Sequence, residues 1–390
     1  MEHKYTLRLE KIEAVLNKWL PEKPDASWME MVFAAAGNPV LRGEPAAKLA
    51  ETLTRPGRDL LERGGKRWRP LLMVLTAEAL AGEYGGGIAL PLTPLVEFPH
   101  NASLIHDDIE DNSDERRGKP AVHLIYGTDT AINGGAFMYF LPLACLSGWT
   151  DSKDKPAFVF REEMWSAWAS HMSALHFGQA MDIAWHRDFY SLPALDEYDR
   201  MCRLKTGCLA RLAAILGVYC AGYGIFSCGD EFPFVLPPDE FILNDSEPNM
   251  AAFKKLANAL GAAAEQLGVG FQILDDVKNL DGGVPGKKRG DDIVEGKKSL
   301  PVLLYLHRYP EKRDFAARCF TAARSAGVNA PEVEEFISAL NKAGVLEEAR
   351  SKGQAYIRES RRIFSSPAAT GFPFKQEGIE LLAGLVDLLG

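Results

Sequence analysis

Apolar residues recur at helical spacing along most of the chain. The longest runs are Leu71-Leu72-Met73-Val74-Leu75 through Ala81, Met201 to Tyr219, and Met250 to Leu280, all rich in Ala and Leu. Few β-branched residues cluster in them, which predicts long helices. No segment alternates apolar and polar residues around an Asn-Gly or Asp-Gly turn, so hairpins are not expected. Breakers separate the helical runs at Gly64-Gly65, Pro91 and Pro94, Gly118 and Pro120, Gly127, Pro193, Gly282 to Gly290, and Pro310. Residues 1–45 read as an N-terminal helical extension, and an acidic, proline-bearing stretch at about 228–248 reads as a surface insertion. The expected architecture is all-α, with one large helical bundle over 46–390 and a central cavity between facing helices.

Composition narrows the function classes. The 390 residues are 47% hydrophobic and 25% charged, as in a soluble globular protein, and the net charge of −9 argues against a general nucleic-acid binder. The six cysteines show no CxxC spacing, which reads as buried thiols in a reducing compartment. The N-terminus, Met1-Glu2-His3-Lys4-Tyr5, opens into mixed charge rather than an apolar core region. No run is read as reaching the ~18–20 apolar residues of a membrane span. The expectation is a cytoplasmic protein with no nucleic-acid partner and no integral membrane segment.

Two acidic clusters change this bland picture. Asp107-Asp108-Ile109-Glu110-Asp111 leads into Arg116-Arg117-Gly118, and Asp275-Asp276-Val277-Lys278-Asn279 leads into a glycine-broken loop ending Lys287-Lys288. Carboxylates at i and i+4 share a helix face, so Asp107 and Asp111 can grip one object, with Asp108 about 100° round the helix. Negative charge at a helix C-terminus is destabilising unless a cation answers it. Mg²⁺ takes hard oxygen ligands and is usually held by one or two carboxylates plus substrate phosphate. Gly64-Gly65-Lys66-Arg67-Trp68-Arg69-Pro70 places three cations beside a helix start, where Arg can grip phosphate in bidentate fashion and Lys acts as a point charge. Lys205-Thr206-Gly207 interrupts an apolar helical run, and Gln179 and Gln272 sit on apolar helices. His100 lies seven residues before Asp107, two turns up the same face. Each motif alone also has a plain structural reading, as a solvated helix end, a basic loop, a structural histidine or a satisfied core amide.

Taken in order, these motifs resemble the trans-isoprenyl diphosphate synthases over roughly residues 60–305. The resemblance rests on Gly64 to Pro70, His100-Asn101-Ala102-Ser103-Leu104, Asp107 to Asp111 with Arg116-Arg117-Gly118, Gly178-Gln179 with Asp182, Lys205-Thr206-Gly207, and Phe271-Gln272-Ile273-Leu274-Asp275-Asp276. Lys288, Gly290, Asp292-Ile293 and Glu295-Gly296-Lys297 follow them. Asp107 to Ser113 and Ile132-Asn133 with Tyr139-Phe140-Leu141 resemble the geranylgeranyl diphosphate synthase branch.

The resemblance implies a homodimeric enzyme of the isoprenoid synthase fold that joins isopentenyl diphosphate to an allylic diphosphate, using Mg²⁺ (three ions per site, with Mn²⁺ as a substitute). It implies that Lys66, Arg69, His100 and Arg117 bind isopentenyl diphosphate. Arg116, Lys205, Lys288 and Lys297 would bind the allylic diphosphate, with Thr206 and Gln272 beside the reacting carbons. Asp107, Asp111 and Asp275 would ligate Mg²⁺, with Asp108, Asp276 and Asn279 near the ions or reaching them through water. Asn279 stands where many members carry aspartate, Pro99 is expected to kink the helix before His100, and His106 stands where an apolar residue is usual. Ala136 follows Gly134-Gly135 where many bacterial members have Gly-Asp. The small Ala102 and Ser103 leave room for a growing chain, and Phe137, Met138, Tyr139 and Phe140 are candidates for a floor deeper down. The expected product is C20, with a longer-chain synthase or a non-catalytic regulatory subunit as alternatives, and a terpene cyclase as a more remote one.

Overall fold

The computed structural model describes residues 2–33, 44–149, 155–227, 238–243, 247–282, 288–366 and 370–390. The first half is built from α1 (Glu2–Trp19), α2 (Ala26–Phe33), α3 (Glu44–Glu62), α4 (Trp68–Ala89), α5 (Pro94–Glu110), α6 (Val122–Tyr126), α7 (Thr128–Phe140), α8 (Pro142–Ser147) and α9 (Lys155–Arg187). The second half contains α10 (Leu195–Cys202), a π-helical turn (Arg203–Gly207), α11 (Cys208–Ser227), α12 (Met250–Asp281), α13 (Asp291–Glu295), α14 (Leu300–Arg308), α15 (Arg313–Ala326), α16 (Pro331–Lys342), α17 (Val345–Ser365) and α18 (Gln376–Leu389). Strand is confined, among the described residues, to two antiparallel ladders of two-residue strands, Glu115–Arg116 with Lys119–Pro120 and Ile242–Leu243 with Glu247–Pro248. The all-α expectation holds, but the first ladder is a short hairpin, contrary to the expectation of none.

Helix α11 is the axis of the bundle. It packs against α4, α9 and α12, and is buried from Cys208 to Gly222 on nearly every face. A helix apolar all round is stable only when neighbours enclose it. That enclosure corrects the expectation that no run is long enough for a membrane span. Thr128–Ser147 and Leu195–Ser227 both have the length and apolarity to cross a bilayer, but 78% of the most apolar window of the second lies inside the protein. Helix α12 serves two cores. Leu256, Leu260, Ala264 and Leu267 face α11, while Val269, Ile273, Val277 and Leu280 pack with α13 to α16.

The N-terminal lead is not detached from this core. Ile12, Leu16 and Leu20 of α1 are fully buried, and the Tyr5 hydroxyl donates to the Leu381 carbonyl of α18 at 2.7 Å. Most of the acidic stretch 228–248 lies outside the described residues; its described part anchors Phe241 against Phe253 and Phe372. Helix α5 runs from Pro94 to Glu110 with Pro99 inside it, so the proline does not interrupt the helix, although it withholds the N–H that would reach the Leu95 carbonyl.

Candidate active site

A cavity of about 880 Å³ opens between α4, α5, α9, α11 and α12. One wall is basic. After α3 the chain passes through Gly64 and Gly65 with φ of 86° and 139°, and Arg67 is also left-handed at φ 46°. This reversal sets Lys66 and Arg69 on the cavity wall as α4 begins. Arg69 is 7% exposed and lies over the Trp68 ring at 4.4 Å, and it makes no ion pair among the described residues. Burial pushes its guanidinium down to about 10, against the pull of Glu97. The Lys66 ammonium lies 5.5 Å over the Phe271 ring. On α5, burial and the neighbouring Arg69 and Arg117 hold the His100 imidazole well below its ordinary value, and therefore neutral. Arg117, left-handed at φ 55° in the 115–120 hairpin, donates to the Leu60 carbonyl at 3.0 Å and to that of Gly64. Burial pushes it down to about 10 as well. All four residues expected to bind isopentenyl diphosphate thus line one wall.

The opposite wall is acidic and internally paired. Asp107 accepts from Gln179 at 2.9 Å and from Lys205 at 3.1 Å, and Arg116 lies 3.6 Å away. Lys205 also donates to Asp182 at 2.6 Å, and despite burial these two carboxylates raise its proton affinity. Asp275 and Lys297 complete this wall. Several expectations need correction. Asp108 is fully buried and accepts from Arg116 at 2.8 Å, so it orients that arginine rather than facing the cavity. Asp111 is set back from the cavity surface, behind the cavity-lining Lys297, rather than standing on it beside Asp107. It is enclosed by Lys297 at 3.1 Å and His186 at 3.6 Å, and burial pushes its carboxyl up to about 7. Lys288 is exposed beyond the cavity, its backbone N–H donating to Asp291. Asn279 is buried beneath that segment, where its oxygen accepts from the Asp292 N–H at 3.2 Å. There it ties Lys288 and Asp292 to the end of α12.

Lys205 and Thr206 are delivered by the π-turn, the kind of helical irregularity that recurs at functional sites. Glycines of two flanking helices admit the turn. A Cβ at Gly178 would lie 2.5 Å from the Lys205 nitrogen, and one at Gly268 would lie 2.7 Å from the Gly207 Cα. Thr206 donates to the Gln272 oxygen at 2.7 Å, and the Gln272 nitrogen donates to Asp276 at 2.7 Å. The Tyr198 hydroxyl donates to the other Asp276 oxygen at 2.7 Å. Asp276 touches the cavity, but burial and the nearby Asp292 push its carboxyl up to about 7.

Below Asp107 the lining turns aromatic and apolar, with Ser103, Leu104, His106, Tyr139, Leu175 and His176. The Tyr139 ring is flanked by His106 at 5.8 Å and His176 at 5.0 Å. Of the four floor candidates only Tyr139 lines the cavity; Met138 is buried against Gly57, Phe137 packs on Trp28 and Phe33, and Phe140 is 66% exposed. Ala102 is buried away from the cavity, so Ser103 alone of the small pair borders it. Tyr198, His186 and Lys298 received no role from sequence, although Tyr198 lies two helical turns before Lys205 and His186 one turn after Asp182.

The cavity's acidic groups are hard oxygen donors, suited to Mg²⁺. Among the described residues no three acidic, His or Cys side chains close around one point. An ion here would complete its shell with water and phosphate oxygen, which is how Mg²⁺ is commonly held.

A family model described as polyprenyl synthetase matches residues 50–227 and 248–337, on either side of the acidic, proline-bearing stretch. A geranylfarnesyl diphosphate synthase of Aeropyrum pernix is 30% identical over 335 residues, 85% of this chain and 91% of that one. A geranylgeranyl pyrophosphate synthase of Geoglobus acetivorans is 31% identical over 314 residues, 80% of this chain and 84% of that one. The solved structure of a geranylgeranyl pyrophosphate synthetase from Geoglobus acetivorans matches with a TM-score of 0.65 at 25% identity, covering 100% of this chain and 96% of that one. A geranylgeranyl pyrophosphate synthase from Corynebacterium glutamicum, solved with isoprenyl diphosphate and magnesium, shares the fold at a TM-score of 0.70 and 22% identity, over 97% of this chain and 98% of that one.

Proposed function

We propose, from the chain's membership of the polyprenyl synthetase family, that it is an isoprenyl diphosphate synthase joining isopentenyl diphosphate to an allylic diphosphate and releasing geranylgeranyl diphosphate (C20). The observation that carries this reading is the sorting of one cavity into an unpaired basic wall, a paired acidic wall and an apolar floor. Lys66, Arg69 and Arg117 hold the isopentenyl diphosphate, with neutral His100 beside them. Arg116, Lys205 and Lys297 face the diphosphate of the allylic partner. Three Mg²⁺ ions, or Mn²⁺ in their place, bound through Asp107, Asp111 and Asp275, would stabilise charge on the departing diphosphate.

The chain's own groups do the rest. Lys205 and Arg116 supply fixed positive charge where the leaving diphosphate becomes more negative. The Thr206 and Gln272 oxygens lie beside the carbon that becomes cationic, and Asp276 holds the Gln272 amide so that its oxygen, not its nitrogen, is turned toward Thr206. Leu104, Tyr139 and Leu175 surround the tail and exclude water from the cation. The alkene of isopentenyl diphosphate forms the new C–C bond, a proton leaves the adjacent carbon, and the released diphosphate is its acceptor.

Incubating purified protein with Mg²⁺, isopentenyl diphosphate and each allylic primer, then weighing the products, tests the reading. A dominant C20 product is expected; a dominant C15 product would overturn the length assignment. The geranylfarnesyl relative and the small Ser103 favour one longer alternative, a C25 product. A regulatory subunit that only activates a partner remains the contrasting outcome, marked by an inactive purified chain. We also propose a homodimer, because Leu124, Ile132, Phe140, Phe158, Trp165 and Phe177 are exposed on α6, α7 and α9. The five described cysteines are buried free thiols, which supports a cytoplasmic setting.

A further inference from the structure

Arg67 stands inside the basic motif and borders the cavity, yet its guanidinium is taken up by protein acceptors. It is 4% exposed. Nε donates to Glu13 of α1 at 2.7 Å, and Nη1 donates to Glu97 of α5 at 3.1 Å and to the Gly64 carbonyl at 3.1 Å. Nη2 donates to the Leu61 carbonyl at 2.5 Å, at the end of α3. Three helices, α1, α3 and α5, and the Gly64 turn therefore meet on one planar fork, which a lysine could not serve. The backbone of Arg67 is left-handed at φ 46°, ψ 27°, a conformation that non-glycine residues hold only when their surroundings fix it. A Cβ at Gly65 would lie 2.9 Å from Arg67 Nη1 and 3.2 Å from Arg117 Nη2, so both guanidiniums close over that glycine. Glu97 also accepts from Asn101 at 2.9 Å, and Asn101 accepts from Arg117 at 3.5 Å.

We infer that Arg67 is a positioning residue for the isopentenyl diphosphate wall, and that α1 belongs to the working site through the Glu13–Arg67 ion pair. The inference rests on the proposed function for the identity of the substrate. Lys66 and Arg69 flank Arg67 and take their directions from its reversed backbone; Arg117 is reached through Glu97 and Asn101. Loosening Arg67 would misplace three cations without removing any of them. The N-terminal extension, which shows no chemistry of its own in sequence, thereby fixes substrate affinity. Its Glu13 is 39% exposed in its side chain, so it can be replaced without opening the core.

The test uses the full chain with Glu13→Gln, Arg67→Lys and, as a locator, Arg69→Met. Each substrate is varied separately, and inorganic pyrophosphate is titrated without metal while Trp fluorescence is followed. Glu13→Gln is expected to raise the isopentenyl diphosphate KM about 3- to 10-fold, the scale of one hydrogen-bonded ion pair, with an unchanged allylic KM and a nearly unchanged melting temperature. Arg67→Lys is expected to raise that KM further, and the double variant less than the product of the two. Pyrophosphate affinity should fall in the same order, with Arg69→Met marking the wall that is probed. Equal changes in both KM values, or an unchanged isopentenyl diphosphate KM in Glu13→Gln, would overturn the inference. A wild type without prenyl transfer would sink the proposed function instead, and the pyrophosphate series would still decide the role of Glu13 and Arg67.

Discussion

On the basic side of the cavity Lys66 and Arg69 make no ion pair among the described residues, whereas across from them Arg116, Lys205 and Lys297 each rest on a carboxylate. Burial acts on both sides, with opposite results. It pushes Arg69 down to about 10, while Asp107 and Asp182 hold Lys205 above its ordinary value. The first wall carries a surplus of positive charge held in place by packing, with its one carboxylate, Glu97, already paired to Arg67, and an anion relieves it. The second is neutralised within itself, so an ion and a diphosphate must each take one partner of an existing pair. One cavity thus contains a preset half and a switchable half.

The largest effect should come from the switchable half. Asp107→Asn keeps the shape and the Gln179 contact but removes the charge that an ion and Lys205 both use. Turnover is expected to fall about 10³-fold, the scale of losing a principal electrostatic group in a reaction site. The melting temperature should change little. Near-normal turnover with saturating Mg²⁺ would remove Asp107 from the chemistry.

A second pair of variants separates the walls by stability. Arg69→Met removes a buried cation that makes no ion pair among the described residues, so the melting temperature should hold or rise while the isopentenyl diphosphate KM increases about 100-fold. Lys205→Met leaves Asp107 and Asp182 without their shared cation and should cost about 3–5 kcal/mol, the penalty for breaking a buried pair from one side. Thermal melts of both proteins give the answer. Equal destabilisation would erase the contrast between the walls.

How far sequence reaches into this site follows the same division. The acidic i, i+4 spacing, the Gly-Gly-basic loop and Lys205-Thr206-Gly207 each announce a feature in a few consecutive residues, and most of them line the cavity. The long apolar runs likewise mark α4, α11 and α12. Helical spacing could not show which carboxylate faces the cavity. Asp107 and Asp111 share a face by period, but Lys297 and His186, from distant elements, enclose only Asp111. Lys288 matches a motif but lies on an exposed segment, and Ala102 is one position round the helix from the cavity-lining Ser103. Nor does Arg67 differ locally from its basic neighbours; its role depends on a glutamate 54 positions earlier.

A smaller effect tests the link between the halves. Tyr198→Phe removes one donor to Asp276 and leaves the Gln272 contact in place. About tenfold loss in kcat is expected, as for one hydrogen bond supporting a reacting group, with isopentenyl diphosphate KM unchanged. A change confined to that KM would place Tyr198 on the basic wall instead.

The smallest effect concerns pH. Burial raises the carboxyls of Asp111 and Asp276 to about 7, far above the 3.8 of a free aspartate. In the fold they keep protons that the unfolded chain has already lost. Their contribution to stability is therefore fully present below about pH 4 and is lost as pH rises through 7. A divalent ion requires the carboxylate, so it competes with those protons and binds more tightly as pH rises. The rise in melting temperature caused by Mg²⁺ alone should grow from pH 6 to pH 7 and level off by pH 8. Below 7 the half-saturating concentration should change by at most about tenfold per unit for each proton displaced. Arg69 stands on the basic wall, away from these two carboxyls, so Arg69→Met should leave the Mg²⁺ profile intact, while Asp111→Asn should flatten it. A profile that is already flat in the wild type would show that the acidic half is as preset as the basic one.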